Sequence, residues 1–153
     1  MNNSILIRAF EPRDLRETTR LFDLYRQFYE QGADLALAER FIRARTETAE
    51  SIVLVADRGD GSLAGFCQLY PSFCSVAAAP IYVLYDLFVD VPARRHGIAQ
   101  ALLEAAHERA RADGKVRMDL TTAKSNLKAQ ALYESMGWRR DDVFFTYTLD
   151  VGG

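Results

Sequence analysis

A short basic turn, Arg94 to Ala99, carries the residue types best suited to binding an anion. It follows an apolar run, Ile81 to Val91, whose length and β-branched and aromatic content are those of a buried strand. Pro92 ends that run because proline has no N–H to give to a sheet. Beyond the turn, apolar side chains recur every three or four residues, which predicts an amphipathic helix. Unpaired N–H groups and the positive end of a helix dipole beside arginines predict a site for a polyanion such as a pyrophosphate.

The sequence of this turn decides which phosphate-binding motif it matches. It contains neither the glycine-lysine pattern of a Walker A loop nor the spaced glycines of a dinucleotide-binding fingerprint. Its pattern, R-x-x-G-x-A, resembles the motif Q/R-x-x-G-x-G/A with which the GNAT superfamily of N-acetyltransferases holds the pyrophosphate of acetyl-CoA. That resemblance implies cofactor-binding roles for Arg94, Arg95, His96, Gly97, Ile98, Ala99 and Gln100. Taken alone, the turn also fits a strand-to-helix hinge with solvated arginines.

A second stretch, residues 125–138, resembles the next motif of the same superfamily, N-x-x-A-x-x-x-Y-x-x-x-G-F/W. Its matching residues are Asn126, Ala129, Tyr133, Gly137 and Trp138. One strand, Val116 to Thr121, is predicted between the two motifs, as the superfamily requires. The resemblance adds Asn126, Ala129 and Tyr133 to the residues expected to hold acetyl-CoA. Within the superfamily, the segment IYVLYDLFV most resembles the spermidine/spermine acetyltransferases and their small histone/polyamine relatives.

The resemblance implies an α/β fold with a mixed, mostly antiparallel sheet of six to seven strands and about four helices. In that fold the fourth and fifth strands splay apart and the pantetheine arm of CoA enters between them. Unpaired backbone groups of Leu87, Phe88 and Val89 would then bind the pantetheine amides. The N–H of Val89 would also polarise the thioester carbonyl. Acetyl-CoA is the implied cosubstrate, and no metal is expected.

Acetyl transfer to an amine needs a group that takes a proton and a group that gives one. An alkylammonium has a pKa of about 10 and no lone pair, so it must lose a proton before or during attack. Asp86 is a carboxylate in the middle of the apolar run, where an unpaired charge is costly. The related polyamine enzymes have a catalytic glutamate where this chain has Tyr85. The base could be Asp86 or Tyr85, since a β-bulge could turn either residue toward the acceptor. A water relay or acceptance of a neutral amine also remains open.

Tyr133 occupies the position of the superfamily's general acid. A phenol stays protonated at pH 7 and can donate a proton to a departing thiolate. The alternative for this tyrosine is packing of the helix against the sheet.

The remaining chain predicts a single domain, residues 1–153, that contains both strands and helices. The predicted elements are a strand at residues 5–9, helices at 12–31 and 35–49, strands at 51–57 and 63–73, the central strand at 81–91, helices from 98 and from 126, and a C-terminal strand at 143–149. The last alternates Val143, Phe145, Tyr147 and Leu149 on one face. Hairpin-linked strands followed by a β-α-β unit give a mixed sheet with helices on both faces.

The composition excludes several classes of protein. The net charge of −2 gives no global basic field for nucleic acid or an anionic membrane. No apolar stretch approaches the roughly 20 residues of a membrane span, and the first residues do not resemble a signal peptide. Cys67 and Cys74 lack metal-ligand or CxxC spacing, so we expect free thiols. The expected location is therefore the cytoplasm.

The acceptor is the least determined part of the prediction. In this superfamily it is set by the first helices and the loop before the central strand, here residues 12–49 and 71–80. Acidic and basic side chains nearly balance in this region. We expect a small amine or amino-acid-like acceptor, with a polyamine, a protein lysine or a protein N-terminus as alternatives. A non-catalytic acyl-CoA-binding module and an unrelated phosphate-binding domain are the other hypotheses. The aromatic C-terminal strand suggests a homodimer.

Overall fold

A computed structural model describes residues 4–152, which form two compact units that meet in sequence at Thr121 and Thr122. The first unit contains strands β1 (Leu6–Ala9), β2 (Ile52–Asp57), β3 (Leu63–Cys74), β4 (Ala79–Val89) and β5 (Met118–Asp119), with helices α1 (Leu15–Phe28), α2 (Leu35–Glu47) and α3 (Ile98–Ala112). Short 3-10 turns, Pro12–Asp14 and Val91–Ala93, precede α1 and α3. The second unit contains α4 (Leu127–Ser135).

The sheet follows chain order, β1 to β5, with antiparallel pairing except between β4 and β5, which are parallel. One face carries the main apolar core, in which Phe66 and Phe88 pack with Leu21 and Phe22 of α1 and Ile42 of α2. Helix α3 packs against β1 to β4. The mixed α/β fold of a sheet flanked by helices is therefore confirmed.

One edge of β4 pairs with β3 along its length, whereas the other edge pairs with β5 over only part of its length. Within this unit β5 pairs with Tyr82 and Val83 and no further. On the other edge the Asp90 N–H donates to the Ala64 carbonyl of the β3 side at 2.8 Å. Peptide groups alternate in direction along an antiparallel strand, so those of Phe88 face β3 while those of Leu87 and Val89 face the opposite edge. The chain thus leaves the backbone of Leu87 and Val89 at a strand edge that β5 does not reach.

Several predicted strand boundaries are wrong. The sheet has five strands among the described residues instead of six to seven. The strand predicted at Val116 to Thr121 shortens to Met118–Asp119, and residues 143–149 form no strand. Alternation defines the two faces that a strand would have, but a strand also needs a neighbour to complete its hydrogen bonds, and a sequence pattern does not supply one. Pro71 lies within β3, opposite Tyr82.

The second unit shows why its motif has that spacing. The Asn126 side chain accepts a hydrogen bond from the Ala129 N–H at 3.2 Å and caps the start of α4. At the other end the Trp138 N–H donates to the Tyr133 carbonyl at 3.0 Å, and Gly137 has a φ of +93°. This is a Schellman cap, which requires the left-handed conformation that glycine adopts most easily. Asn126, Gly137 and Trp138 are therefore explained by helix capping.

Candidate active site

A β-bulge in β4 brings Tyr85 and Asp86 to the same face of the sheet. Gln68 pairs with Asp86 and Leu69 with Leu84, so Tyr85 is the extra residue. Gln68 and Tyr70 are two residues apart on β3 and share a face. The Gln68 amide contacts the Asp86 carboxyl, and the Tyr70 and Tyr85 rings meet with centroids 5.5 Å apart. Consecutive residues thus face the side that α1 and α2 cover, as the bulge hypothesis anticipated.

The Asp86 carboxyl is buried in a line of hydrogen bonds. Only 3% of the residue is exposed. The Gln68 Nε2 donates to Asp86 Oδ2, and the Ser51 hydroxyl donates to Gln68 Oε1 at 2.8 Å. That second bond fixes the orientation of the amide, so Gln68 presents its donor to the carboxyl. We refer to Ser51, Gln68 and Asp86 as the polar line.

Burial also makes Asp86 more basic than an ordinary aspartate. Loss of solvation raises the pKa of Asp86 to about 6, although hydrogen bonds from Gln68 and Tyr25 oppose the rise. The Tyr25 hydroxyl, from α1, donates to the Tyr85 carbonyl at 3.1 Å and lies beside the carboxyl. A carboxyl with this pKa is mostly ionised at neutral pH and accepts a proton far more readily than one with the usual value near 4. It is suited to general-base chemistry.

Tyr85 has a different environment from Asp86. Its side chain is 65% exposed and packs only edge-on against Tyr70. Tyr25 of α1 and Tyr29, just after this helix, form a second ring pair with centroids 5.1 Å apart. The structure therefore surrounds a buried acid with aromatic side chains, of which Tyr85 is well exposed. Tyr85 is thus open to solvent, whereas Asp86 is enclosed.

The basic turn has the geometry expected of an anion site. Gly97 precedes α3 with a φ of +74°, and Arg95 has a φ of +69°, which is uncommon for a residue with a side chain. Among the described residues, the N–H groups of Ile98, Ala99 and Gln100 donate to no backbone carbonyl. A Cβ added to Gly97 would meet no protein atom within 4 Å, so the space beside its backbone is open. These features fit a pyrophosphate, the group implied by the motif.

Two side chains of this turn contact the backbone that precedes it. The Arg94 Nε donates to the Val89 carbonyl at 2.9 Å, and its guanidinium lies 5.4 Å from the centre of the Phe88 ring. His96 Nδ1 lies 3.3 Å from the Ala93 carbonyl. Arg94 thus ties the end of β4 to the turn, which fixes the strand edge relative to the start of α3.

The predicted site residues fall in both units. Tyr85 to Val89 and Arg94 to Gln100 belong to the first unit, and Asn126, Ala129 and Tyr133 to the second. Sequence reasoning did not find Ser51, Gln68 or Tyr25. Gln68 had a signal, since it is a polar residue inside the buried run Leu63 to Leu69. Ser51 and Tyr25 had none, because only the fold brings them near Asp86.

The described residues were also considered as possible metal ligands, membrane spans and disulfides. In residues 4–152 no three His, Cys, Asp or Glu side chains cluster as metal ligands would. Among the helices of this range, none is long and apolar enough to cross a membrane. Cys67 and Cys74 are both free, as predicted.

Comparison with known proteins identifies the family. The family model of the acetyltransferase (GNAT) family matches residues 18–138. An N-acetyltransferase of Bacillus subtilis named YhfO, recorded as uncharacterized, is 43% identical over 145 residues, which are 95% of this chain and 97% of that protein. The chain belongs to the GNAT family of acetyltransferases.

Further relatives agree with this membership. A crystal structure described as a probable acetyltransferase superposes with a TM-score of 0.89 at 36% identity, over 97% of this chain and 99% of that one. The D-amino-acid N-acetyltransferase HPA3 of Saccharomyces cerevisiae is 25% identical over 149 residues, 95% of this chain and 91% of that protein. The protein is therefore an acyltransferase, and GNAT acetyltransferases use acetyl-CoA.

The raised pKa of Asp86 makes a prediction about stability. In the unfolded chain this carboxyl ionises near pH 4, but in the folded protein it keeps its proton until about pH 6. The unfolded state therefore binds fewer protons between these values, and the stability contributed by Asp86 is lost as the pH rises from 4 to 6. Asp86→Asn should abolish this loss, making the variant more stable than wild type at pH 7 by about 3 kcal/mol, with the difference vanishing near pH 4. Urea unfolding of both proteins across this range measures it; a constant difference would contradict the raised pKa.

Proposed function

We propose that the protein is an N-acetyltransferase that transfers the acetyl group of acetyl-CoA to a primary amine, with Asp86 as the general base. The observation that supports this most is a buried carboxyl with a pKa of about 6 on a bulged strand, close to a strand edge without a partner. A carboxyl of this kind lowers the stability of the fold but is suited to proton transfer, and such perturbed groups are concentrated at active sites.

Acetyl-CoA would be held by backbone groups more than by side chains. The N–H groups at the start of α3 and at Gly97 suit its pyrophosphate, with Arg95 beside them. The peptide groups of Leu87 and Val89 face the open edge of β4 and suit the amides of the pantetheine arm. The bound thioester supplies an activated acetyl group. The hydrogen bond from Arg94 to the Val89 carbonyl fixes the end of β4 relative to the basic turn, so the two binding segments keep their relative position.

The reaction moves two protons, and the chain offers a residue for each. The acceptor's ammonium group loses one proton to the Asp86 carboxylate, directly or through a water, and its nitrogen then attacks the acetyl carbon. Once bonded to carbon, the nitrogen loses a second proton, which replaces the one that is donated to sulfur. The C–S bond breaks and the electron pair leaves on sulfur, which takes a proton to become the CoA thiol. By the resemblance of its motif, Tyr133 supplies that proton. The N–H of Val89 stabilises the negative charge that develops on the carbonyl oxygen.

Two features support a class of acceptor: the tyrosine rings around the Asp86 carboxylate, and the similarity to one relative. A carboxylate flanked by Tyr25, Tyr70 and Tyr85 suits an ammonium group, which is attracted to both anions and ring faces. The similarity to a D-amino-acid N-acetyltransferase supports an amino-acid-like amine. We therefore favour this class over the polyamine that the IYVLYDLFV segment suggested.

The first test is acetyl transfer itself, measured as CoA thiol release with a panel of primary amines. In wild type, kcat/KM should rise through about pH 6, where Asp86 ionises, and level off below the amine pKa of about 10. Asp86→Asn should be slower by roughly 100-fold or more and should follow only the ionisation of the amine, up to pH 10. If both proteins gave the same profile, Asp86 would not be the base. Failure of wild type with every amine would contradict the proposed function.

The role of the turn is tested by Gly97→Val. A side chain at this position projects into the space that a pyrophosphate would occupy, and a β-branched residue is strained at a φ of +74°. Gly97→Asn is the matched control for strain, since asparagine tolerates the left-handed conformation. Both variants should lose at least tenfold in CoA affinity by calorimetry, with Gly97→Asn close to wild type in melting temperature. Normal CoA binding by the folded Asn variant would contradict the assignment.

The general acid is tested by Tyr133→Phe, which keeps the ring and its pairing with Trp138, centroids 6.1 Å apart. Loss of the hydroxyl should reduce kcat by roughly 10- to 1000-fold and leave acetyl-CoA affinity nearly unchanged. A tyrosine that only packs predicts the opposite, with a lower melting temperature and wild-type turnover. Both quantities should be measured on the same preparation.

A further inference from the structure

The Asp86 carboxyl is enclosed, although the proposed reaction requires it to receive a proton from an acceptor amine. Only 3% of the residue is exposed, and its Oδ2 accepts a hydrogen bond from the Gln68 amide. Gln68 and Ser51, the other members of the polar line, are themselves buried. An amide donates hydrogen bonds but does not pass a proton on at neutral pH. Another group is therefore needed to bring the proton from the acceptor to this carboxyl.

The Tyr25 hydroxyl lies where such a group is needed. It donates to the Tyr85 carbonyl at 3.1 Å, in a bond that is accessible to solvent. The carbonyl carbon of Tyr85 is bonded to the nitrogen of Asp86, and the hydroxyl also forms a hydrogen bond with the Asp86 carboxyl. One oxygen atom thus contacts both the accessible backbone of the bulge and the buried acid. A hydroxyl has a hydrogen to give and lone pairs that accept another, which is what a proton relay requires.

Ring contacts hold the Tyr25 phenol in place. Its ring stacks with that of Phe22, centroids 6.1 Å apart, and meets the Phe66 ring edge-on at 6.3 Å. Phe22 and Phe66 belong to the main core, and Tyr25 packs against that core. Because these contacts do not involve the hydroxyl, its hydrogen can turn from the Tyr85 carbonyl to the Asp86 carboxylate without movement of the ring.

Tyr25 is suited to relay a proton and not to hold a charge. Burial and the negative charge of Asp86 raise the pKa of Tyr25 above its usual value of about 10, so the phenol stays neutral while Asp86 ionises. The charge of Asp86 also acts on Cys67 and Tyr70 of β3, and burial raises the pKa of both, that of Cys67 to about 12. Tyr85 is the titratable neighbour on β4. Asp86 is the group in this cluster with a pKa of about 6.

We propose that Tyr25 is a catalytic residue that carries a proton from the acceptor's ammonium group to Asp86. This inference rests on the proposed function and names the group that contacts the acceptor amine. The ammonium N–H donates to the Tyr25 oxygen. As this N–H bond breaks and a new O–H bond forms, the original O–H bond of Tyr25 breaks and its hydrogen bonds to an Asp86 carboxylate oxygen. Tyr25 remains a neutral phenol, Asp86 becomes a neutral acid, and the nitrogen keeps the electron pair with which it attacks the thioester carbon.

The test compares Tyr25→Phe with wild type in the thiol-release assay from pH 5 to 10, with the primary amine that wild type acetylates fastest. The variant keeps the ring and its core contacts, so its melting temperature should stay close to that of wild type. The plateau of kcat/KM should fall at least about tenfold, because the proton has lost its route to Asp86. Tyr29→Phe is the matched control, since it removes a phenol hydroxyl four residues further along the chain, and it should keep the plateau.

A double-mutant cycle separates a relay from a structural or a tuning role. If Tyr25 acts through Asp86, Tyr25→Phe should slow the Asp86→Asn variant by no more than about twofold at pH 9, where roughly a tenth of the amine is already free. Equal losses in both backgrounds would overturn the relay, because that pattern indicates displacement of the strand. A Tyr25→Phe profile that moves to higher pH and keeps the wild-type plateau would also overturn it, since the hydroxyl would then only stabilise the ionised carboxyl.

These outcomes are distinct from failure of the proposed function. A wild-type profile and plateau in Tyr25→Phe would overturn the relay and leave acetyl transfer, with Asp86 as the base, standing. An Asp86→Asn variant as fast as wild type would overturn both the base and the relay. Absence of acetyl transfer to every amine by wild type would instead overturn the proposed function, and this inference with it.

Discussion

The hydrogen bond between Gln68 and Asp86, across the bulge in β4, is the contact on which the proposed active site depends. The bulge at Tyr85 interrupts the alternation of β4, and this places an exposed tyrosine and a buried carboxyl on one face. Gln68 donates to the carboxyl and so reduces the cost of burying it, and Gln68 presents its donor there because Ser51 fixes the amide. Without the bulge, Tyr85 and Asp86 would lie on opposite faces.

Stability and chemistry make opposite demands on this carboxyl. Burial raises its pKa to about 6, which suits proton transfer near neutral pH but makes its ionised form costly in the folded state. The polar line and the Tyr25 hydroxyl reduce this cost without removing it. A fully solvated aspartate would be stable and weakly basic, whereas one without donors would stay protonated. The observed environment is intermediate between these two.

The residues differ in how far the sequence could predict them. The turn at Gly97 and the caps of α4 were predictable because a local backbone conformation requires those residue types. The family and the helices α3 and α4 were predictable from the same two motifs. The prediction of a C-terminal strand was wrong because a strand needs a neighbouring strand to pair with, and an alternating pattern does not specify one. Ser51, Gln68 and Tyr25 come from separate parts of the chain: the register of β2, β3 and β4 brings Ser51 and Gln68 to Asp86, and the packing of α1 brings Tyr25.

The central claim is that the fold gives Asp86 the pKa of a base suited to neutral pH, and a direct titration tests it. The carboxyl carbon of Asp86 can be followed by carbon-13 NMR from pH 3 to 8, with its signal assigned as the one missing in Asp86→Asn. The account predicts a midpoint at about pH 6. A midpoint near 4, the value of an ordinary solvated aspartate, would contradict it.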